Sequence, residues 1–194
     1  YLAMGNYAAA EPFYQKSLEV REAKLGAEHP DVAETQNELG TLYKRRNAYP
    51  LAETRYRQAL AIREKKLPPT DPRIAESLGD LAGLYEILGD HKAAEPPLRR
   101  ALELRQKSLG PDSPEVADSL GQLALLEQAR NNFDAAETLL KQALGIREKK
   151  LGAAHPSVAE SCVALGDLAL AKRDAKTAGE YYQRTLLLRQ KALG

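Results

Sequence analysis

Three histidines and a single cysteine are the residues in this chain best suited to hold a metal ion or attack a substrate. His29, His91 and His155 lie about 60 residues apart, and with Cys162 on a helix they give none of the close spacings that metal-ligand sets use. His29 and His155 recur because a His-Pro linker recurs, and His91 stands by itself in a turn. Cys162 reads as a buried or partly buried inert thiol. The sequence contains no His-Glu-x-x-His, no phosphate loop ending in Gly-Lys-Ser/Thr and no Gly-x-Ser-x-Gly. Carboxylates are plentiful, but they fit the solvated faces of amphipathic helices. No catalytic residue, cofactor or metal is expected, and the chain is expected not to be an enzyme.

Charge is the other chemistry on offer. The 28 basic and 27 acidic residues leave a net charge of +1, which is no electrostatic footprint for nucleic acid or an anionic membrane. Lys44-Arg45-Arg46 is the one run of three basic residues. It sits at a helix C-terminus, where cations are favourable, as do Lys65-Lys66 and Lys149-Lys150. Glu34, Glu76, Asp118 and Glu160 form an acidic column early in successive helices. They could hook a basic peptide. The preferred reading is structural: carboxylates suit helix N-termini, and the arginines of the preceding helix lie within reach. One cysteine excludes an internal disulfide, no apolar stretch reaches the length of a membrane span, and 43% hydrophobic residues suffice for a folded core. No nucleic-acid or membrane partner is expected.

The elements that position these groups follow from an internal repeat. Pro30, Pro72, Pro114 and Pro156 are 42 residues apart, and Arg21, Arg63, Arg105, Arg147 and Arg189 keep the same step. So do Leu18, Leu60, Leu102, Leu144 and Leu186. The divisions are a partial unit at residues 1–30, then 31–72, 73–114, 115–156 and 157–194. Each full unit reads as two helices. Val116, Leu120, Leu123 and Ala124 step by three or four, and Ala136, Leu139, Leu140, Ala143 and Leu144 form a second stripe after Asn131-Asn132. The turn between helices recurs as Gly5-Asn6, Asn47-Ala48, Gly89-Asp90, Asn131-Asn132 and Arg173-Asp174. Its first residue suits the left-handed conformation and its second can cap the next helix; Ala48 and Arg173 depart from the pattern. Gly26, Gly110 and Gly152 end the second helices, and Pro68-Pro69 does so in the one unit without the glycine. Pro12 and Pro96 fall past the first turn of a second helix, where they should kink it or shift its start. Gly40, Ala82, Ala124 and Gly166 let facing helices approach, and Ala52, Ala94, Ala136 and Ala178 do the same on the second helix, with Tyr14, Tyr56, Leu98, Leu140 and Tyr182 as the large partners. Helix pairs with uncovered apolar faces must stack. The expected fold is all-α: a right-handed superhelical solenoid of antiparallel helix pairs with nine full helices.

The pattern Leu39-Gly40-x-x-Tyr43, Ala52, Tyr56 and Ala59 resembles the tetratricopeptide repeat (TPR). The 42-residue period and the linkers REAKLGAEHPDVAET (21–35) and REKKLGAAHPSVAES (147–161) resemble the kinesin-light-chain type of that repeat. The resemblance implies a non-enzymatic scaffold that takes a linear peptide or partner protein in a concave groove lined by the first helices. By position the groove residues are Asn37, Glu38, Thr41 and Lys44, then Gly79, Asp80, Gly83 and Glu86. Gly121, Gln122, Leu125 and Gln128 follow, and after them Val163, Ala164, Asp167 and Leu170. In kinesin light chains the first of these positions is rich in asparagine, which pairs with a peptide backbone; only Asn37 keeps it here. Gly79, Gly83 and Gly121 are costly inside helices. They either deepen the groove for a ligand backbone or answer to tight packing or drift. The polar residues Glu38, Asp80, Glu86 and Asp167 suggest a neutral or weakly basic ligand. The alternative is a structural spacer or self-assembling solenoid within a larger multidomain signalling protein, with homo-oligomers formed by end-to-end stacking. The chain starts at Tyr1 and reads as an excerpt of a longer polypeptide, and a cytoplasmic location is expected.

Overall fold

The computed structural model describes residues 7–193, which places the Gly5-Asn6 turn outside the described residues. Among the described residues the elements are α1 (Tyr7–Leu25), α2 (Pro30–Arg45), α3 (Tyr49–Lys66), α4 (Pro72–Ile87), α5 (His91–Leu109), α6 (Pro114–Ala129), α7 (Phe133–Leu151), α8 (Pro156–Ala171) and α9 (Ala175–Leu193). The described fold is all-α. None of these helices is long and apolar enough to cross a membrane.

Each first helix starts where a proline opens it. Pro30, Pro72, Pro114 and Pro156 stand at its first position, where the missing N–H would have had no helical partner. The residue before each proline is extended and caps the helix with its side chain. Arg73 N–H donates to Asp71 Oδ1 at 3.0 Å, and Val116 N–H to Ser113 Oγ at 3.3 Å. The linker histidines do the same work: Asp31 N–H donates to His29 Nδ1 at 3.2 Å, and Ser157 N–H to His155 Nδ1 at 3.2 Å. An imidazole that accepts at Nδ1 carries its proton on Nε2. His29 and His155 are thus helix caps in the same column as Asp71 and Ser113. His91 is the first residue of α5 rather than a turn residue.

Among the described residues the turn into a second helix is left-handed at its first residue: φ is +58° at Asn47, +70° at Gly89, +62° at Asn131 and +62° at Arg173. Asp90 and Asp174 then cap as expected, accepting from Ala93 N–H at 3.0 Å and Thr177 N–H at 3.1 Å. Asn132 does not cap; its amide donates to Glu127 Oε2 at 2.8 Å instead. Arg173 is the costly member, because a Cβ in this region is worth about 1–2 kcal/mol of strain. Arg173→Gly is expected to raise stability by roughly 1 kcal/mol, read from the urea midpoint at constant slope. A loss on that change would show that Arg173 earns its place through contacts of its side chain.

Pro12 and Pro96 do not displace the helix starts. α1 runs from Tyr7 through Pro12, and α5 begins directly after Asp90 and runs through Pro96 and Pro97.

The chain divides into two compact units, one up to Leu104 and the other from Arg105. In the first, α1 packs on α2, α2 on α3 and α3 on α4. Ile74, Ala75, Leu78 and Ala101 are buried together there, with Leu60, Leu67 and Leu104 against them. In the second, α6 packs on α7, α7 on α8 and α8 on α9. Its core includes Ala124, Ala136, Leu140, Leu144, Val158, Cys162, Leu165 and Leu168. Cys162 is a fully buried free thiol, and burial pushes its pKa up, away from the reactive thiolate.

Candidate partner-binding surface

The arginine column sets the register between a second helix and the first helix that follows. Arg21 Nη1 donates to Thr35 Oγ1 at 2.8 Å, Arg63 to Ser77 Oγ at 2.8 Å, Arg105 to Ser119 Oγ at 2.6 Å and Arg147 to Ser161 Oγ at 2.6 Å. The same guanidinium groups reach backbone carbonyls ten residues on: Asp31 at 2.7 Å and Arg73 at 2.8 Å. The hydroxyl column was missed by the sequence reading, although Thr35, Ser77, Ser119 and Ser161 keep the 42-residue step that would have found it. The acidic column pairs with the preceding arginine at Arg21–Glu34 (3.2 Å) and Arg63–Glu76 (3.1 Å). Asp118 departs: it takes Arg147 of the later helix α7 at 2.6 Å. Glu34, Glu76 and Asp118 are thus tied to column arginines, the first two in the way the structural reading expects.

With α2 and α4 held this way, the expected groove residues of the first unit meet one another. Asn37 is buried, and its Nδ2 donates to Asp80 Oδ2 at 2.7 Å while its Oδ1 accepts from Ser77 Oγ at 3.3 Å. Lys44 lies 4.0 Å from Asp80 and 5.7 Å above the centre of the Tyr56 ring, a cation–π distance. Thr41 and Tyr56 share a hydroxyl hydrogen bond at 3.1 Å. Asn37 therefore crosslinks neighbouring first helices in this structure. Beside Asn37 and Glu38 opens a cleft of about 370 Å³, walled also by Glu34, Arg63, Arg73 and Glu76. Burial, with Glu34 adding to it, raises the pKa of Glu38 against the pull of Arg21. Burial likewise raises that of Glu86, whose Oε1 is buried without a hydrogen-bond partner.

In the second unit the expected residues are more apolar. Leu125 on α6 and Leu170 on α8 are 55% and 51% exposed. Gly121, Gln122, Gln128, Val163 and Ala164 are partly buried, and exposed Asp167 accepts a hydrogen bond from Tyr182 Oη at 2.6 Å. Gly83 and Gly121 are not forced by packing: a Cβ built on either would meet nothing within 4 Å. Tight packing is thereby excluded as the cause of these two glycines. Among the described residues, no group of three or more His, Cys, Asp and Glu side chains could hold a metal ion.

The sequence model of the family described as tetratricopeptide repeat matches residues 1–65 and 73–149, and a second model of that description matches residues 122–192. No curated protein matches the chain significantly. Among solved structures, BtubC (BKLC) from P. vanneervenii is 26% identical at a TM-score of 0.89, over 100% of this chain and 77% of that one. A Podosopora anserina protein, described by its kinesin light chain nearly identical TPR-like repeats, is 25% identical at a TM-score of 0.86, over 100% of this chain and 91% of that one. RapI shares the fold at a TM-score of 0.83 with 15% identity, over 96% of this chain and 65% of that one.

Proposed function

The chain belongs to the tetratricopeptide repeat family, whose fold is that of a protein–protein interaction scaffold, and from that premise we propose that it binds a peptide or a segment of a partner protein along its first helices. The surface would be the exposed side of α2 and α4 in one unit and of α6 and α8 in the other. The observation that carries this reading is the open space above Gly83 and Gly121. Glycine in a helix interior costs about 1 kcal/mol relative to alanine. Nothing inside the protein asks for that cost at Gly83 and Gly121, and a ligand backbone running against the first helices would use the space; Gly145 and Gly179 on second helices are equally open. Glu38, Asp80 and Glu86 favour a neutral or weakly basic segment on the first unit. Exposed Leu125 and Leu170 favour an apolar side chain on the second.

The test uses substitutions that fill the space without weakening the fold. A random peptide library is panned against the chain, and enriched peptides are measured against Gly83→Gln and Gly121→Gln. Each change should stabilise its helix slightly and still lower peptide affinity at least roughly tenfold, the loss expected when a side chain blocks a main-chain contact of about 1.4 kcal/mol. Equal binding to the variants would move recognition off the first helices. No enriched motif at all would reject the short-peptide form of the proposal.

A further inference from the structure

Position 169 belongs to a column that holds tyrosine twice: Tyr43, Tyr85, Glu127 and Ala169. Both tyrosines do one job. Tyr43 Oη donates to Glu11 Oε1 at 2.9 Å, and Tyr85 Oη donates to Glu53 Oε1 at 2.7 Å. Arg57, four residues after Glu53, donates to that carboxylate at 2.9 Å and to Tyr85 Oη at 2.7 Å. The acceptors have their own column, Glu11, Glu53, Glu95 and Glu137, also stepped by 42. A second helix thus supplies a carboxylate with a donor four residues on, Gln15 beside Glu11 and Arg57 beside Glu53, and the next first helix supplies the phenol that donates to it.

At α7 and α8 the receptor half of this arrangement is intact and the phenol is missing. Glu137 is present, Lys141 stands four residues on at 2.6 Å, and the position of the tyrosine is Ala169. The space has not closed. A cavity of about 170 Å³ lies there, lined by Glu137, Leu165, Leu168, Ala169, Lys172 and Tyr181 among others. A cavity of about 150 Å³ holds a benzene ring. Leu165 and Leu168 lie beneath it, almost wholly buried, and they match Leu81 and Leu84 next to Tyr85 in the repeat register, while Asp174 and Thr177 line it as well. Its rim is polar: Lys172 Nζ donates to Glu137 Oε2 at 2.7 Å. A carboxylate has about four lone-pair sites, so two lysines leave room for a further donor.

We propose that this cavity is a binding site for a phenol ring, with the ring on Leu165 and Leu168 and its hydroxyl donating to Glu137 and accepting from Lys172. The ring could arrive as a tyrosine side chain of a partner or as a free 4-alkylphenol; the chemistry recognised is the same. The site is separate from the first-helix surface described above and stands without it.

The test is a backbone-amide NMR titration of the whole chain with p-cresol, toluene and N-acetyl-tyrosinamide. p-Cresol should shift amides around residues 165–169, with toluene binding roughly tenfold more weakly for want of the hydroxyl. Glu137→Gln should shrink that difference. Ala169→Tyr should fill the site from within: the thermal midpoint rises and the p-cresol shifts vanish. Binding of N-acetyl-tyrosinamide assigns the site to a partner's tyrosine, and binding of p-cresol alone assigns it to a free phenol. Equal affinity for toluene and p-cresol would reduce the cavity to an apolar void and overturn the proposal. So would the absence of shifts with every probe, or shifts that persist in Ala169→Tyr.

Discussion

Arg63→Ala is expected to cost roughly 3 kcal/mol, a large fraction of the 5–15 kcal/mol that holds an ordinary domain together. Arg63 is only 3% exposed although it carries a full charge. One nitrogen satisfies the Arg73 carbonyl at 2.8 Å, Ser77 Oγ at 2.8 Å and Glu76 at 3.1 Å. Truncation takes the charged donor from the buried Ser77 hydroxyl, which keeps its bond to Asn37, and one of two donors from the Arg73 carbonyl, together at about 1–3 kcal/mol, and leaves the space of the side chain empty. The Glu76 pair adds little, because that carboxylate is mostly in water. Arg63→Lys should recover part of the loss, since an ammonium can donate to the same acceptors but is more strongly hydrated and costs more to bury. Arg21 makes the same set of bonds with a side chain 35% exposed, so water can replace it, and Arg21→Ala should cost less than half as much. Urea unfolding of the three variants checks the order. Equal losses at the two arginines would show that burial is not what makes the column matter.

The parts of this fold that were legible in the sequence are the ones set by backbone rules acting over a few residues. A proline opens each first helix, and glycine or asparagine takes the left-handed turn, because both choices follow from local φ and ψ. The same logic identified Asp90 and Asp174 as caps but misjudged Asn132, whose amide found Glu127 five residues back. His29 and His155 were read as passengers of a repeated linker. Asp71 and Ser113 in the same column were the clue that the position caps a helix and accepts any short acceptor.

Side-chain partners across helices were harder, because they depend on the packing register. Asn37 was placed on the candidate surface from its position in the repeat, yet its partner Asp80 lies 43 residues away, and the two meet only once α2 and α4 are stacked. The arginine–hydroxyl bonds and the tyrosine–glutamate bonds are written in the sequence as columns with the 42-residue step, but a column says that a residue recurs, not what it touches. Whether Gly83 and Gly121 serve packing or open space could not be read from the chain at all, since free volume is a property of everything around a residue.

Glycine at position 40 is the opposite case, and substituting it should have the opposite sign. A Cβ on Gly40 would lie 2.6 Å from Tyr56 Cδ1 and 2.7 Å from Cε1, well inside contact distance. Tyr56 has no room to yield: it is fully buried, and its hydroxyl is held by Thr41 at 3.1 Å. The helices must separate, at about 1–3 kcal/mol, against at most about 1 kcal/mol gained in helix propensity, so Gly40→Ala should lose on the order of 2 kcal/mol. The chain itself supplies the rescue. Where the glycine column holds Ala82 and Ala124, the tyrosine column holds Leu98 and Leu140; where it holds Gly166, the partner is Tyr182. Adding Tyr56→Leu to Gly40→Ala should therefore restore most of the loss, with a coupling energy of about 1–2 kcal/mol in a double-mutant cycle. Gly166→Ala should cost less, because Tyr182 is only partly buried and can swing outward even though Asp167 holds its hydroxyl at 2.6 Å. Additive effects of the two changes at 40 and 56 would mean that the glycine–tyrosine contact does not set the distance between α2 and α3. In that event the matched small and large residues of the repeats would need another cause.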